Sequence, residues 1–302
     1  MAARAQPAIV AEDLPGLFQA ADTASTRAQK LYLKLVAADL SVMLVGATLG
    51  ALSVDGSSRA QGMALASAIA VAIGLILTLT LQAQRLSATW YDGRAVAEAT
   101  KTSAWRYMMR AYPYGNLAEP YADKALISAF DSFLRDRKGL AGSLPSGLAQ
   151  LPQITAVMRD TRGLAVEARK SVYVDSRLAD QRMWYAARAE HNSKRARHLF
   201  TLVIGCHALA LVAAIANVRW PETQINLTGV FAALAAALIA WTQLKKYEEQ
   251  ANVYGLTAQE LKSIEEQGRH ANAEEAFARF VEEAESAITR ENALWLARRE
   301  QF

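Results

Sequence analysis

Apolar positions along the chain collect into four dense blocks, roughly 31–53, 62–81, 199–218 and 225–244, set among long charged stretches of helix-forming composition. Each block holds about 20 residues, and at about 1.5 Å per residue that matches the roughly 30 Å hydrocarbon thickness of a bilayer. The pattern predicts an all-α integral membrane protein with four transmembrane helices in two tandem hairpins. Outside the blocks the period stays helical. Leu86, Trp90, Gly93, Ala97, Thr100, Ala104, Tyr107 and Ala111 alternate at spacings of four and three, a coiled-coil heptad seam of mostly small residues on a helix expected to continue from the second span to 112. The breaker PYGNLAEP (113–120) precedes an amphipathic helix near 120–137 carrying Leu126, Ile127, Phe130 and Leu134, and KGLAGSLPSGLAQLP (138–152) reads as a loop. Long helical patterns over 154–197 and 245–298 flank the second hairpin, the latter with Phe277, Val281, Ala284, Ile288 and Trp295 on one face. Most of the chain lies outside the apolar blocks, which predicts a long helical cytoplasmic stalk.

The two hairpins look like copies of one unit. TRAQKLYLKLVAADL aligns with KRARHLFTLVIGCHAL, placing Arg27 and Ala28 opposite Arg195 and Ala196, and Tyr32 opposite Phe200. After the second span of each pair, Leu75, Ile76 and Leu81 meet Leu238, Ile239 and Leu244, while Tyr91 and Ala95 meet Tyr254 and Ala258. The match continues into polar flanks, and both hairpins enter from the same side. It divides the chain into a first two-span unit (1–137), a linker (138–152) and a second two-span unit (153–302). Small residues mark candidate packing faces: Gly46 and Gly50 in the first span, Ala66, Ala70 and Gly74 in the second, and Gly229, Ala233 and Ala237 in the fourth. In lipid such stripes let helix backbones approach closely, because packing rather than hydrophobicity drives association there.

Charge sets the orientation. Arg27, Lys30 and Lys34 open the first span, Arg85 and Arg94 follow the second, Lys194, Arg195 and Arg197 precede the third, and Lys245 and Lys246 follow the fourth. The tips VDGSSRAQG and VRWPETQ hold only Arg59 and Arg219 as basic residues. The Lys/Arg excess predicts both termini and the long central region in the cytoplasm. MAARAQPAIVAEDLPGLFQA lacks the apolar core of a cleavable signal peptide, so the first span should act as the insertion signal. The overall charge of +4 adds little to this.

Candidate chemistry is sparse. Asp39 lies within the first span, and the repeat alignment puts His207 opposite it in the third. A carboxylate at mid-span costs about 2.5–3.5 kcal/mol on insertion scales, and intramembrane ionisable groups usually face a bundle interior or water. The two residues are therefore candidates to face each other or a shared aqueous lumen; the bland alternative is a structural aspartate that fixes helix packing. Trp90, Tyr91, Trp105, Tyr107, Trp184 and Tyr185 are assigned to the stalk's aromatic core. The single cysteine, Cys206, excludes an intrachain disulfide. The four histidines are scattered, His270 and Glu274 read as solvated surface, and no phosphate-binding loop or catalytic triad stands out. An enzyme, a metal or cofactor, and a nucleic-acid partner are not expected. The cluster Lys194–Arg197 reads as a helix anchor at anionic headgroups.

Two motifs carry a family resemblance. Trp105-Arg106-Tyr107 followed by Arg110-Ala111-Tyr112-Pro113-Tyr114, just beyond WYDGRAVAEA, resembles one branch of the SLATT family, the SMODS- and SLOG-associated two-transmembrane effectors. Tyr173-x-x-x-Arg177-x-x-x-Gln181-x-x-Trp184-Tyr185-x-x-x-Ala189-x-x-Asn192 resembles another branch. The resemblance implies a pore-forming or membrane-perturbing effector of a bacterial conflict system linked to nucleotide signals, with a nucleotide-signal sensor or synthase as cytoplasmic partner and no catalytic residues. A lumen needs several subunits, so a homo-oligomer is expected, with the heptad seam as one available surface. A non-conducting scaffold and a small-solute transporter remain the alternatives at this point.

Overall fold

The computed structural model describes residues 9–53, 57–220 and 227–297. Parts of both hairpin tips (54–56 and 221–226) lie outside these residues, as does the side chain of Trp295. Among the described residues the chain is helical, with turns between helices and no strand. A 3₁₀ turn (Ala11–Asp13) precedes α1 (Gly16–Ala51), α2 (Ser58–Ala83), α3 (Leu86–Met108) and α4 (Glu119–Arg135). Within the expected 138–152 loop sit a 3₁₀ turn (Ala141–Ser143) and the single-turn α5 (Ser146–Ala149). Then come α6 (Ala156–Gly163), α7 (Val166–Tyr173), a π-helical turn (Val174–Leu178), α8 (Ala179–Arg219), α9 (Leu227–Lys245), α10 (Tyr247–Gly268) and α11 (Glu274–Ala297).

Four helical stretches are long and apolar enough to cross a membrane: Gly16–Ala51, Ser58–Met108, Val166–Arg219 and Leu227–Gly268. Their apolar windows are almost entirely unburied within the chain, with Leu65, Ile76 and Leu79 of α2 and Leu211, Val212 and Ile215 of α8 all exposed. Such faces belong against acyl chains, where apolar exposure carries no hydration cost.

The chain divides into two compact units. The span unit comprises residues 30–86 and 190–251; the core unit comprises 1–29, 87–189 and 252–302. Each sequence repeat contributes to both units.

The core unit is held by a conventional interior. Trp105, Tyr107, Met108, Leu126, Tyr173, Leu178, Phe277, Val281 and Ile288 are all essentially inaccessible. Aromatic side chains interlock edge to face, Tyr173 with Trp105, Phe277 and Phe280 at centroid separations of 5.8, 6.3 and 5.9 Å.

Here the small-residue seam on α3 meets its partner. Gly93, Ala97, Thr100, Ala104, Tyr107 and Ala111 are buried inside the chain itself. A Cβ at Gly93 would lie 3.0 Å from both the Ala21 carbonyl and Ser25 Cβ of α1, and Ser25 Oγ donates to the Trp90 carbonyl at 2.9 Å. The seam expected to join subunits is thus buried within the chain, with α1 packed on it at Gly93. Small residues were the correct sign of close approach, but they bring together two helices of one chain.

The long helices expected from periodicity are also interrupted. The helix through 82–112 breaks at Arg85, and the one from 245 onward breaks at Lys246; both residues have φ of 46°. No glycine or proline announces either break. Each second span thus ends in a left-handed basic residue, one more likeness between the hairpins. The 154–197 pattern is divided at Leu164–Ala165 and again by the π turn, and 245–298 is divided a second time at Arg269–Ala273.

Candidate functional site

Two groups of polar residues are held away from water, one in each unit. In the core unit, Glu285 of α11 is fully buried and receives donors from three directions. Arg177 binds it side-on, Nε to Oε1 at 2.9 Å and Nη2 to Oε2 at 2.8 Å. Tyr173 donates its hydroxyl to Oε1 at 3.1 Å and Thr102 donates to Oε2 at 2.9 Å. Burial alone would raise the Glu285 carboxyl, but the charge and hydrogen bonds of Arg177 hold it below the usual carboxylate range. Burial would pull Arg177 down, and Glu285 holds it up, so both groups remain ionised. Tyr173, buried and facing that carboxylate, is pushed well above the ordinary phenol range.

Two further buried arginines tie backbone segments together. Arg162 donates to the carbonyls of Tyr107 at 2.5 Å and Tyr114 at 2.8 Å, while Arg169 donates to the Met109 carbonyl at 2.7 Å and pairs with Glu274. Glu274, expected as solvated surface beside His270, therefore anchors α11 to α7. The expected aromatic core residues fall at different depths. Trp105, Tyr107 and Tyr185 are buried, Trp90 and Tyr91 are half-buried and stacked at 5.0 Å, and Trp184 remains 36% exposed. Trp184 and Tyr185 both lie against Tyr254 of α10, at 5.5 and 5.6 Å.

In the span unit, Asp39 sits where α1 faces α2. Its Oδ1 is buried and has no hydrogen-bond partner among the described residues. Gly74 is opposite: a Cβ there would lie 3.5 Å from Asp39 Oδ1 and 2.9 Å from Met43 Sδ. Along the same contact, a Cβ at Gly46 would be 3.3 Å from Ala70 Cβ, and one at Gly50 would be 3.3 Å from Ser67 Oγ. Ser67 Oγ donates across the pair to the Gly46 carbonyl at 2.8 Å. Ala70 and Gly74 are buried and Ala66 is half-buried. In the second hairpin Ala235, rather than a residue of the expected stripe, is the buried position of α9; Ala233 and Ala237 are half-buried and Gly229 is exposed.

His207 is exposed, and its Nδ1 lies 3.0 Å from the Val203 carbonyl of its own helix. A carbonyl can only accept, so Nδ1 carries the proton in that contact. Within one chain, Asp39 and His207 are not joined by a hydrogen bond. The carboxylate turns into its own hairpin while the imidazole lies on an outer surface.

Residues 15–170 match the family model described as SMODS and SLOG-associating 2TM effector domain 3, and residues 173–295 match the one described as SMODS and SLOG-associating 2TM effector domain 1. No curated protein and no solved structure matches the chain. The quoted motifs turn out to be chiefly architectural. Tyr173 and Arg177 grip Glu285, Trp184 and Tyr185 stack on Tyr254, and Asn192 donates to Gln250 at 3.4 Å.

Proposed function

From a chain that belongs to the SMODS and SLOG-associating 2TM effector family, with a domain of type 3 followed by one of type 1, we propose a multi-pass effector that permeabilises the membrane as a homo-oligomer. The observation that carries this reading is the buried Asp39 Oδ1 of the first hairpin, which has no partner among the described residues. Such a group in lipid costs free energy unless another subunit or water reaches it. Assembly around an axis would supply that water, turning the α1–α2 contact toward a lumen. His207, exposed on one chain, would gain polar surroundings by the same assembly. The core unit receives the signal, and a shift in how the span helices meet opens the path. A nucleotide-signal sensor or synthase is the partner class that the family description favours, and the inner membrane with both termini cytoplasmic is the placement that the flanking lysines and arginines favour.

Induced expression in bacterial cells, with membrane potential read by a voltage-sensitive dye, tests the proposal. The wild-type chain is expected to depolarise the cells, and Asp39→Asn to depolarise them less at equal membrane abundance. A chain that accumulates in the membrane without depolarisation, alone or with its partner, would leave the scaffold reading in its place. Saturable uptake of one solute without depolarisation would favour a transporter.

A further inference from the structure

The core unit contains an open-mouthed cavity of about 440 Å³ beside the Glu285 cluster, within the size range of small-ligand sites. Leu14, Phe18 and Trp105 form its apolar wall, and Lys101 and Arg177 bring two cations to it. Phe18 is in the first turn of α1, while Asp180, at the rim, opens α8, so the cavity touches the starts of two helices that later become spans.

Two buried donors here have no acceptor among the described residues, and a lysine stands beside them. Arg177 uses Nε and Nη2 on Glu285, but its buried Nη1 has no partner among the described residues. The buried indole N–H of Trp105 has none either. The Lys101 ammonium lies 5.7 Å from the centroid of the Phe18 ring and is attracted by Glu98, Glu285 and Asp180. Burial first, and then the Arg177 charge, pull the Lys101 ammonium below its usual range. Buried donors without acceptors are costly, and two nearby cations repel. Glu285 neutralises Arg177 from the other side, while Glu98, Glu285 and Asp180 offset only part of what burial and the Arg177 charge do to Lys101. Asp175 and Asp180, both exposed, line the same cavity and disfavour a highly charged ligand.

We infer that this cavity binds a small organic anion whose acidic head lies between Lys101 and Arg177 and whose flat apolar body packs on Trp105 and Phe18. The head is a carboxylate or a phosphate monoester, not a polyphosphate. The site is distinct from membrane permeabilisation and stands or falls separately from it.

The test uses calorimetric titration of the full chain in lipid nanodiscs, with phenyl phosphate and benzoate as probes of the two head groups. At least one should bind saturably, while phenol, which lacks the charge, and inorganic phosphate, which lacks the body, should bind about tenfold more weakly or not at all. Lys101→Gln should weaken binding of that probe at least about tenfold, a loss expected of one charged hydrogen bond. Ile9→Trp, which fills the cavity without touching a charge, should do the same, and Lys262→Gln on α10 should leave binding unchanged. Absence of saturable binding by both aromatic anions, or wild-type affinity in both Lys101→Gln and Ile9→Trp, overturns the inference. Should inorganic pyrophosphate bind more tightly than either aromatic anion, the assigned ligand class is wrong.

Discussion

Replacing Glu285 by alanine tests the electrostatics of the core unit most sharply. The substitution strips Arg177 of both its bonds to the carboxylate at 2.8–2.9 Å, and leaves Tyr173 and Thr102 without their acceptor. Arg177 is 1% exposed and Glu285 0%, so water cannot take over without local opening. Removing one member of such a buried pair costs about 3–5 kcal/mol, most of it the stranded guanidinium rather than the lost attraction. At about 2–4 °C per kcal/mol for a unit of this size, the melting temperature should fall by about 6–20 °C. Tryptophan fluorescence of the full chain in nanodiscs, heated at one fixed rate, reads the shift. The double variant Arg177→Met with Glu285→Leu removes both charges and fills the space with apolar atoms. It should recover at least half of the loss. An alanine variant melting within 2 °C of wild type, or a double variant no better than the single, would refute the assignment of this cluster as the core unit's electrostatic keystone.

The same cluster sets an acid limit. Because the folded Glu285 carboxyl lies below its unfolded value, its contribution is present above about pH 4.3 and is lost as pH falls through the lower folded value. The stability difference between wild type and Glu285→Gln should therefore shrink below that pH, and a constant difference would contradict the ionised pair. In the span unit, Gly74→Val should weaken the first hairpin by about 1–3 kcal/mol, since even a Cβ there would lie 2.9 Å from Met43 Sδ. Gly62→Ala, with nothing within 4 Å, should be neutral or slightly stabilising. Thermal unfolding in nanodiscs separates the two, and equal melting temperatures would contradict the packing described. Lys246→Gly, at φ of 46°, should stabilise by about 1 kcal/mol by relieving left-handed strain. A lowered melting temperature would mean that the lysine side chain matters more than its backbone.

The membrane layer was legible in the sequence because apolar density over about 20 residues is a local signal that needs no tertiary partner. Asp39 stood out for the same reason, as one carboxylate in such a run. The core unit was legible only in fragments. Phe277, Val281, Ala284 and Ile288 lay on one predicted face and are buried, but the group that organises that face, Glu285, reads in sequence as ordinary helix surface. Its partner Arg177 is 108 residues away, and only folding brings them together. The motif containing Tyr173 and Arg177 pointed to the right residues without revealing what they hold. The helix breaks at Arg85 and Lys246, both at φ of 46°, are not legible in the sequence, because arginine and lysine carry no breaker signal. The α3 seam misled in a useful way: periodicity reports that a face is buried, but not by which chain.

The central claim is that the span helices assemble a water-accessible path past Asp39. Purified full-length protein in planar bilayers, with current recorded under a potassium gradient, tests it most directly. The account predicts discrete conductance from wild-type protein, with cation preference reduced in Asp39→Asn at equal reconstitution. A wild-type protein that is oligomeric and folded yet electrically silent, with and without its partner, would contradict it, as would cation preference indifferent to the charge at position 39.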